Sequence, residues 1–277
     1  MEKFQAILPS MLLAPYVKQY WFLTSDTQGF QRAIPSGSIG LVFNRADRIY
    51  SSAEKDYQPR SHIFGQSNTY VDLNFGVLDL IIVVFQPVGA KAFFRMPMNE
   101  LNGQNVGIDL LGDPKIIELE SRLMGAGDNQ TCVRLIEEFL TKRICKFEDH
   151  NFKRLSFVLQ SINIGESSVS KLAQLACLSQ KQFNRIFTDF AGLNPKDYLQ
   201  INRFAKTAHT LQTKPLINLN ELAETTGYYD KSHLIKDFKT LSGYTPAEFL
   251  SNSDPYSDYM SLFQTFFIHT KHELNQR

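Results

Sequence analysis

Cysteine is scarce in this chain of 277 residues: there are three, Cys132, Cys145 and Cys177, odd in number and without C-x-x-C spacing. That excludes a disulfide framework and a cysteine-built zinc site, and the three thiols are expected to be ordinary half-buried side chains. No run of about eighteen apolar residues occurs, so no membrane-spanning helix is expected. Residues 1–13 hold one lysine and a short apolar patch broken by Pro9, which is not the pattern of a secretory leader; the chain is expected in the cytoplasm. Histidine offers little to a metal centre. Only His62 falls in the strand-rich part described below, and a mononuclear site needs several converging N or O ligands, so no metal and no cofactor are expected. Asp72, Asp79 and Asp109 have no spacing that selects a catalytic pair and read as solvated surface carboxylates. Net charge is nearly absent as well, +1 over the whole chain, which argues against a general polyanion binder.

What is present is a folding composition, 43% apolar and 21% charged, in a chain long enough for two domains of ordinary size. The charge is unevenly placed. Residues 1–150 carry fifteen Lys and Arg against seventeen Asp and Glu, residues 151–250 twelve against eight, and the remainder two against three. The basic excess of four sits in the stretch that carries the motifs below, so contact with phosphate would rest on placed groups more than on a broad positive field.

From Tyr20 to Phe85 short aromatic and β-branched segments alternate with turn residues: Tyr20–Leu23, Gly40–Phe43, His62–Gly65, Thr69–Leu73 and Leu78–Phe85. These read as strands of a β-barrel or sandwich of cupin-like form. Trp21, with Tyr20 and Phe22, is expected to fill its core more than to line a pocket. Beyond Pro87 the period lengthens, and Cys132, Leu135, Ile136, Phe139, Leu140 and Arg143 share a helical face, so helices close this domain. A further helix over 149–162 and a loop at 163–168 place the boundary near residue 150.

Two similar units follow. In the first, Val169, Leu172, Ala173 and Ala176 lie on one face of a short helix. Cys177-Leu178-Ser179 turns the chain, and Ser179 is placed to cap a second helix from Gln180 to Phe190. There Phe183, Ile186, Phe187 and Phe190 face inward while Lys181, Asn184, Arg185 and Thr188 face out. About fifty residues later, Leu219–Thr226 is followed by a turn at Gly227–Asp230 and by Lys231–Leu241, with Leu234, Phe238 and Leu241 inward. Gly227 supplies the left-handed residue that stops the first helix, and Asp230 caps the second. Both units end alike, in Gly192-Leu193-Asn194-Pro195 and Gly243-Tyr244-Thr245-Pro246. Between them Tyr198, Ile201, Ala205, Ala208 and Leu211 define a connecting helix of roughly 25 Å, able to hold two helices near the approximately 34 Å repeat of successive major-groove faces. The helical spacing of Phe183, Phe187 and Phe238 marks them as core residues, not as platforms for stacked bases.

Residues 168–250 resemble the DNA-binding domain of the AraC/XylS regulators, through Leu172-Ala173, Ser179, Phe183, Arg185, Phe187, Gly192, Pro195, Tyr198, Arg203, Ala208, Leu222-Ala223, Gly227-Tyr228, Phe238, Gly243, Pro246 and Phe249. The resemblance implies seven helices, two recognition helices in adjacent major grooves of duplex DNA, and transcription control, activation more than repression. It places Lys181, Asn184 and Arg185 at the DNA-contacting positions of the first recognition helix, and Lys231, Ser232, Ile235 and Lys236 at those of the second. RNA polymerase is a partner by the same analogy. Lys236 stands where the family more often has Arg, which loses the planar bidentate pair with guanine. Asp237 beside it adds a charge that phosphate repels, and the usual closing Phe-Arg is here Phe249-Leu250, so weaker reading by the second unit is expected.

The preceding region is similar to the sensor-like domain of some such regulators, through Tyr20-Trp21, Pro35-Ser36-Gly37, Leu41-Val42-Phe43, Gly65-Gln66 and Phe85–Ala90. That resemblance implies a domain which binds a small-molecule effector or forms a homodimer, and names no ligand. The expected organisation is therefore α+β: a sensing or dimerising domain over 1–150, an all-α double helix-turn-helix over 151–250, and a tail over 251–277. A barrel enzyme fused to a DNA-binding domain is the alternative, and an N-terminal domain that only dimerises is a third reading. In the tail, Tyr256, Tyr259, Met260, Phe263, Phe266 and Phe267 recur at steps of three and four. This predicts an amphipathic helix over Tyr256–His269 that docks on the chain's own domains or on a second subunit.

Overall fold

The computed structural model describes residues 3–144 and 149–251. Cys145 and the predicted tail helix lie outside the described residues, and the division expected near residue 150 falls beside 145–148, also outside them. Ten strands occupy the first part: β1 (Lys3–Ile7), β2 (Val17–Ser25), β3 (Gly29–Ala33), β4 (Gly40–Asn44), β5 (Tyr50–Ser51), β6 (Asp56–Tyr57), β7 (Ser61–Phe64), β8 (Val71–Phe75), β9 (Leu78–Phe85) and β10 (Asn105–Gly107). They form two antiparallel sheets, ordered β1-β2-β9-β4-β7-β10 and β3-β8-β5-β6. Neither sheet closes on itself, so of the two expected forms the structure is the sandwich.

Period-two alternation decides which side chains meet where. On β2, Tyr20 and Phe22 turn outward from the sandwich and join Phe43, Ile63 and Phe85 in a core roofed by two helices, α1 (Pro114–Met124) and α2 (Asn129–Ile144). Each large apolar side chain buried there is worth about 1.5–3 kcal/mol against exposure. Trp21 and Leu23 point the other way, into the space between the sheets. Trp21 is therefore a half-buried lining residue and not the core residue expected. Two thiols also depart from expectation, since Cys132 on the inner face of α2 is fully buried and Cys177 is exposed.

The second part is helical: α3 (His150–Asn163), α4 (Val169–Leu175), α5 (Gln180–Ala191), α6 (Pro195–Thr213), α7 (Leu219–Thr226), α8 (Lys231–Ser242) and α9 (Pro246–Ser251). Two cores divide it. Phe183, Phe187 and Phe190 of α5 pack with α3, α4 and Tyr198, while Leu234, Phe238 and Leu241 of α8 pack with α7, Phe249 and the inner face of α6 at Ile201, Phe204 and Ala208. The long helix α6 thus belongs to both units and fixes one against the other. At 1.5 Å per residue it spans about 28 Å.

The two parts are in contact. Val88 inserts into the first helical core, and the Tyr16 ring stacks on Phe152 at 4.7 Å between centroids. Lys91 forms an ion pair with Asp189 of α5 at 2.9 Å. Thr69 donates to the Thr240 carbonyl of α8 at 3.3 Å, and Asn68 donates to Asp197 of α6 at 3.3 Å.

Candidate nucleic-acid interface

Each helix-turn-helix is set by its caps. Ser168, Ser179, Asn218 and Asp230 all accept a hydrogen bond from a backbone N–H in the first turn of α4, α5, α7 and α8 respectively. Such caps are typically worth about 1 kcal/mol each. At α5 the cap is reciprocal, because Gln182 Oε1 accepts from the Ser179 backbone at 3.1 Å while its own N–H donates to Ser179 Oγ. The turn of the second unit uses Gly227 at φ 82°, and the first reaches the same left-handed region with Cys177 at φ 54°, which a residue carrying Cβ adopts at a cost of roughly 1–2 kcal/mol.

The outward face of α5 carries Lys181, Asn184 and Arg185, all exposed, with Thr188 half-buried beside them. On α8 Lys231, Ser232 and Lys236 are exposed, whereas Ile235 is half-buried against the core of its own unit. Each of these helices meets a shorter partner, α4 or α7, and Ala173 and Ala223 at the crossings are buried.

Asp237 differs from the sequence expectation. It does not face outward beside Lys236: it is 4% exposed, and its carboxylate accepts from Gln200 Nε2 at 2.9 Å and from Arg203 Nη2 at 3.1 Å. Its position three residues after Leu234 and four before Leu241 puts it on the inward face. The Arg203 guanidinium lies over the Tyr228 ring, 4.5 Å from its centroid, so α6, α8 and the turn between α7 and α8 share one charged junction behind the second outward face. Asp237 thus brings no repulsion of phosphate to that face.

The back of α8 is held by a residue that sequence reasoning missed. Arg32 on β3 forms a bidentate pair with Asp72 of β8 at 2.6 and 2.8 Å. Its guanidinium lies over the rings of Tyr70 and Tyr244, at 4.1 and 4.6 Å, and donates to the Ser242 carbonyl at 3.4 Å. Gly243, at φ 75°, ends α8 there; a Cβ would approach within 2.6 Å of Arg32 and 2.7 Å of Tyr70. Asp72 and Asp79 are accordingly half-buried ion-pair partners and not freely solvated groups, because Arg45 engages Asp79 at 2.8 Å and Arg32 engages Asp72, while Asp109 is exposed as expected. No local signal marks these partners, which lie 34 to 210 residues apart.

Between the sheets is a cavity of about 310 Å³. His62 of β7 is in its wall, 4% exposed, and burial holds its imidazole down to about 4. The unfolded chain takes up that proton near pH 6.5 and the folded one only near pH 4, so the share of stability linked to His62 is fully present above pH 6.5 and falls as pH drops through this window. By pH 5 the loss is expected to be about 2 kcal/mol in urea unfolding, and His62→Gln should remove most of that difference between pH 7 and pH 5. Equal pH sensitivity in the variant would show that His62 is not the group concerned.

Residues 172–252 match a family described as "Helix-turn-helix domain", and residues 5–107 match one described as "Domain of unknown function (DUF6597)". Among curated proteins, an uncharacterised HTH-type transcriptional regulator of Escherichia coli (strain K12), YidL, is 31% identical over 87 residues, which is 31% of this chain and 29% of that protein. The chain thus spans less than a third of the length of the curated relative it matches. Solved structures of ToxT from Vibrio cholerae are similar at 9–10% identity. A 1.65 Å structure and one bound to (E)-4-(8-methylnaphthalen-1-yl)but-3-enoic acid give TM-scores of 0.44 and 0.45, each covering 90% of this chain and 98% of the other. On the family match, residues 172–252 are a helix-turn-helix domain of the AraC type.

Proposed function

We propose that the whole chain is a sequence-specific transcription regulator of the AraC/XylS type, acting in the cytoplasm on duplex DNA with α5 and α8 in adjacent major grooves. One observation carries this reading: Lys181, Asn184 and Arg185 on α5, and Lys231, Ser232 and Lys236 on α8, stand on exposed faces of two capped helices joined by a single shared helix. Arg185 is the selective reader, with the fork geometry that pairs guanine O6 and N7, and Asn184 can pair adenine in the same way. Lys181, Lys231 and Lys236 neutralise phosphates, and Ser232 and Thr188 add hydroxyl donors. Ile235, half-buried, offers at most a methyl contact to thymine.

The N-terminal sandwich serves as the sensing part, its cavity taking a small-molecule effector. The contacts of Lys91, Thr69 and Arg32 with α5 and α8 support this, since they tie the walls of that domain to both recognition helices. They also weigh against the fused-enzyme alternative, because Asp72 and Asp79 are occupied in holding arginines. Contact with RNA polymerase follows by family analogy, and sedimentation of the full chain tests the proposed homodimer.

Binding of the full chain to a genomic library of duplexes should fall steeply with salt, because neutralised phosphates release counterions. With six or more such contacts, affinity is expected to drop about 10³-fold between 50 and 200 mM salt. Binding indifferent to salt, or none, would contradict the proposal.

A further inference from the structure

We infer that the cavity between the two sheets binds an uncharged, largely apolar small molecule bearing a hydroxyl or carbonyl group, seated between Trp21 and Gln66. This rests on the effector role proposed above and names the ligand class. The cavity, about 310 Å³, is far larger than the voids of a packed core, and it matches the lower end of small-molecule sites. Its walls are apolar on both sides, with Trp21, Val42 and Leu80 from one sheet and Val71, Leu73 and Phe75 from the other.

Apart from Arg32 and Glu54, the polar groups in that wall are neutral. Gln66 is 2% exposed, and its Nε2 has no hydrogen-bond partner among the described residues, a donor that a ligand oxygen would satisfy. His62 donates from Nδ1 to the Pro59 carbonyl at 2.8 Å, since a carbonyl can only accept. Its Nε2 is thereby left as an acceptor, and burial keeps the ring uncharged at neutral pH. Two charged side chains reach the wall, and neither is available to a buried ligand. Arg32 is consumed by Asp72 and by the two tyrosine rings, and Glu54 is exposed and accepts from Asn105 at 2.9 Å. A carboxylate entering this space would lose its water and meet no free cation among the described residues, whereas a hydroxyl would lose little. Gln66 also packs against Gly192 at the end of α5, and wall residues Arg32 and Thr69 bond α8, so an occupant would touch the groups that hold both recognition helices.

Trp21 is the one tryptophan of the chain, so its emission reports the cavity. The full-length protein is titrated at pH 7.5 with 1-decanol, decanoate and decylammonium, three probes of equal chain length and different charge. Saturable quenching or a blue shift is expected with decanol, at a Kd at least ten-fold below that of either ion. Gln66→Met, which keeps the volume and removes the donor, should weaken decanol at least five-fold, and Leu73→Phe, which fills the space, should abolish the response without lowering the melting temperature. Decanoate or decylammonium binding as tightly as decanol would overturn the ligand class and leave the effector reading standing. A decanol response that both variants leave unchanged would overturn the site. No response to any of the three probes would overturn the effector reading together with this inference.

Discussion

Arg203→Ala should destabilise the chain by about 3–5 kcal/mol, the cost of stranding a buried charge when its partner is removed. The charge left behind is Asp237, whose side chain is 6% exposed against 27% for Arg203. Gln200 would remain as a donor and His233 Nε2 would stand 3.8 Å away, but neither replaces the guanidinium on the buried carboxylate, and the ring of Tyr228 would lose the guanidinium packed over it. The second variant that decides the matter is Asp237→Asn. Combined with Arg203→Ala it removes the uncompensated charge and should recover much of the lost stability, the pattern of an ion pair in which each partner is needed because the other is there. Urea unfolding followed by far-UV circular dichroism measures all three variants. A loss below about 0.5 kcal/mol for Arg203→Ala, the range of ordinary surface substitutions, would show that the junction of α6, α8 and the turn before α8 does not hold the second unit.

Phe183→Ala and Phe238→Ala should each cost about 3–5 kcal/mol, as large aromatic truncations in packed cores do. Both rings are completely buried. Phe183 meets Phe187 at 5.6 Å between centroids, and Phe238 meets Phe204 at 4.9 Å and Phe249 at 5.5 Å. Because the two lie in separate cores, the double variant should lose close to the sum of the single losses. Lost DNA binding with unchanged melting would mean that these rings touch bases. The structure gives them no such exposure.

Much of this was legible in the sequence, for a physical reason that also marks where legibility ends. Helices α3 to α8 show through because each buries a stripe at three- and four-residue steps, and because Ser179, Gly192, Gly227, Asp230 and Gly243 carry the chemistry that starts and stops a helix. Strands β2, β4, β7 and β9 show through as apolar runs. The strands that escaped notice, β1, β3, β5, β6 and β10, are edge or two-residue strands without an alternating apolar face, and pairing alone makes them strands. Trp21 was misread because aromatic residues in strands usually pack inward, while this sandwich has an apolar core on one face of β2 and an apolar cavity on the other. Asp237 is legible as an inward residue from its spacing to Leu234 and Leu241, although its charge points the other way. The grip of Arg32, Thr69 and Lys91 on the recognition helices left no trace, because it joins residues 98 to 210 positions apart through single side chains.

The central claim, that α5 and α8 read adjacent major grooves with α5 the stronger reader, is tested most directly by selecting binding sites from random duplexes with the full chain, with Arg185→Ala and with Lys236→Ala. The selected sites should show two blocks of sequence preference about 10 base pairs apart, one groove repeat. Arg185→Ala should weaken the best site by about 1–3 kcal/mol and erase preference at one or two base pairs of the stronger block. Lys236→Ala should weaken binding evenly across sites and leave both blocks readable. A single block, or a loss of preference greater for Lys236→Ala than for Arg185→Ala, would contradict the account.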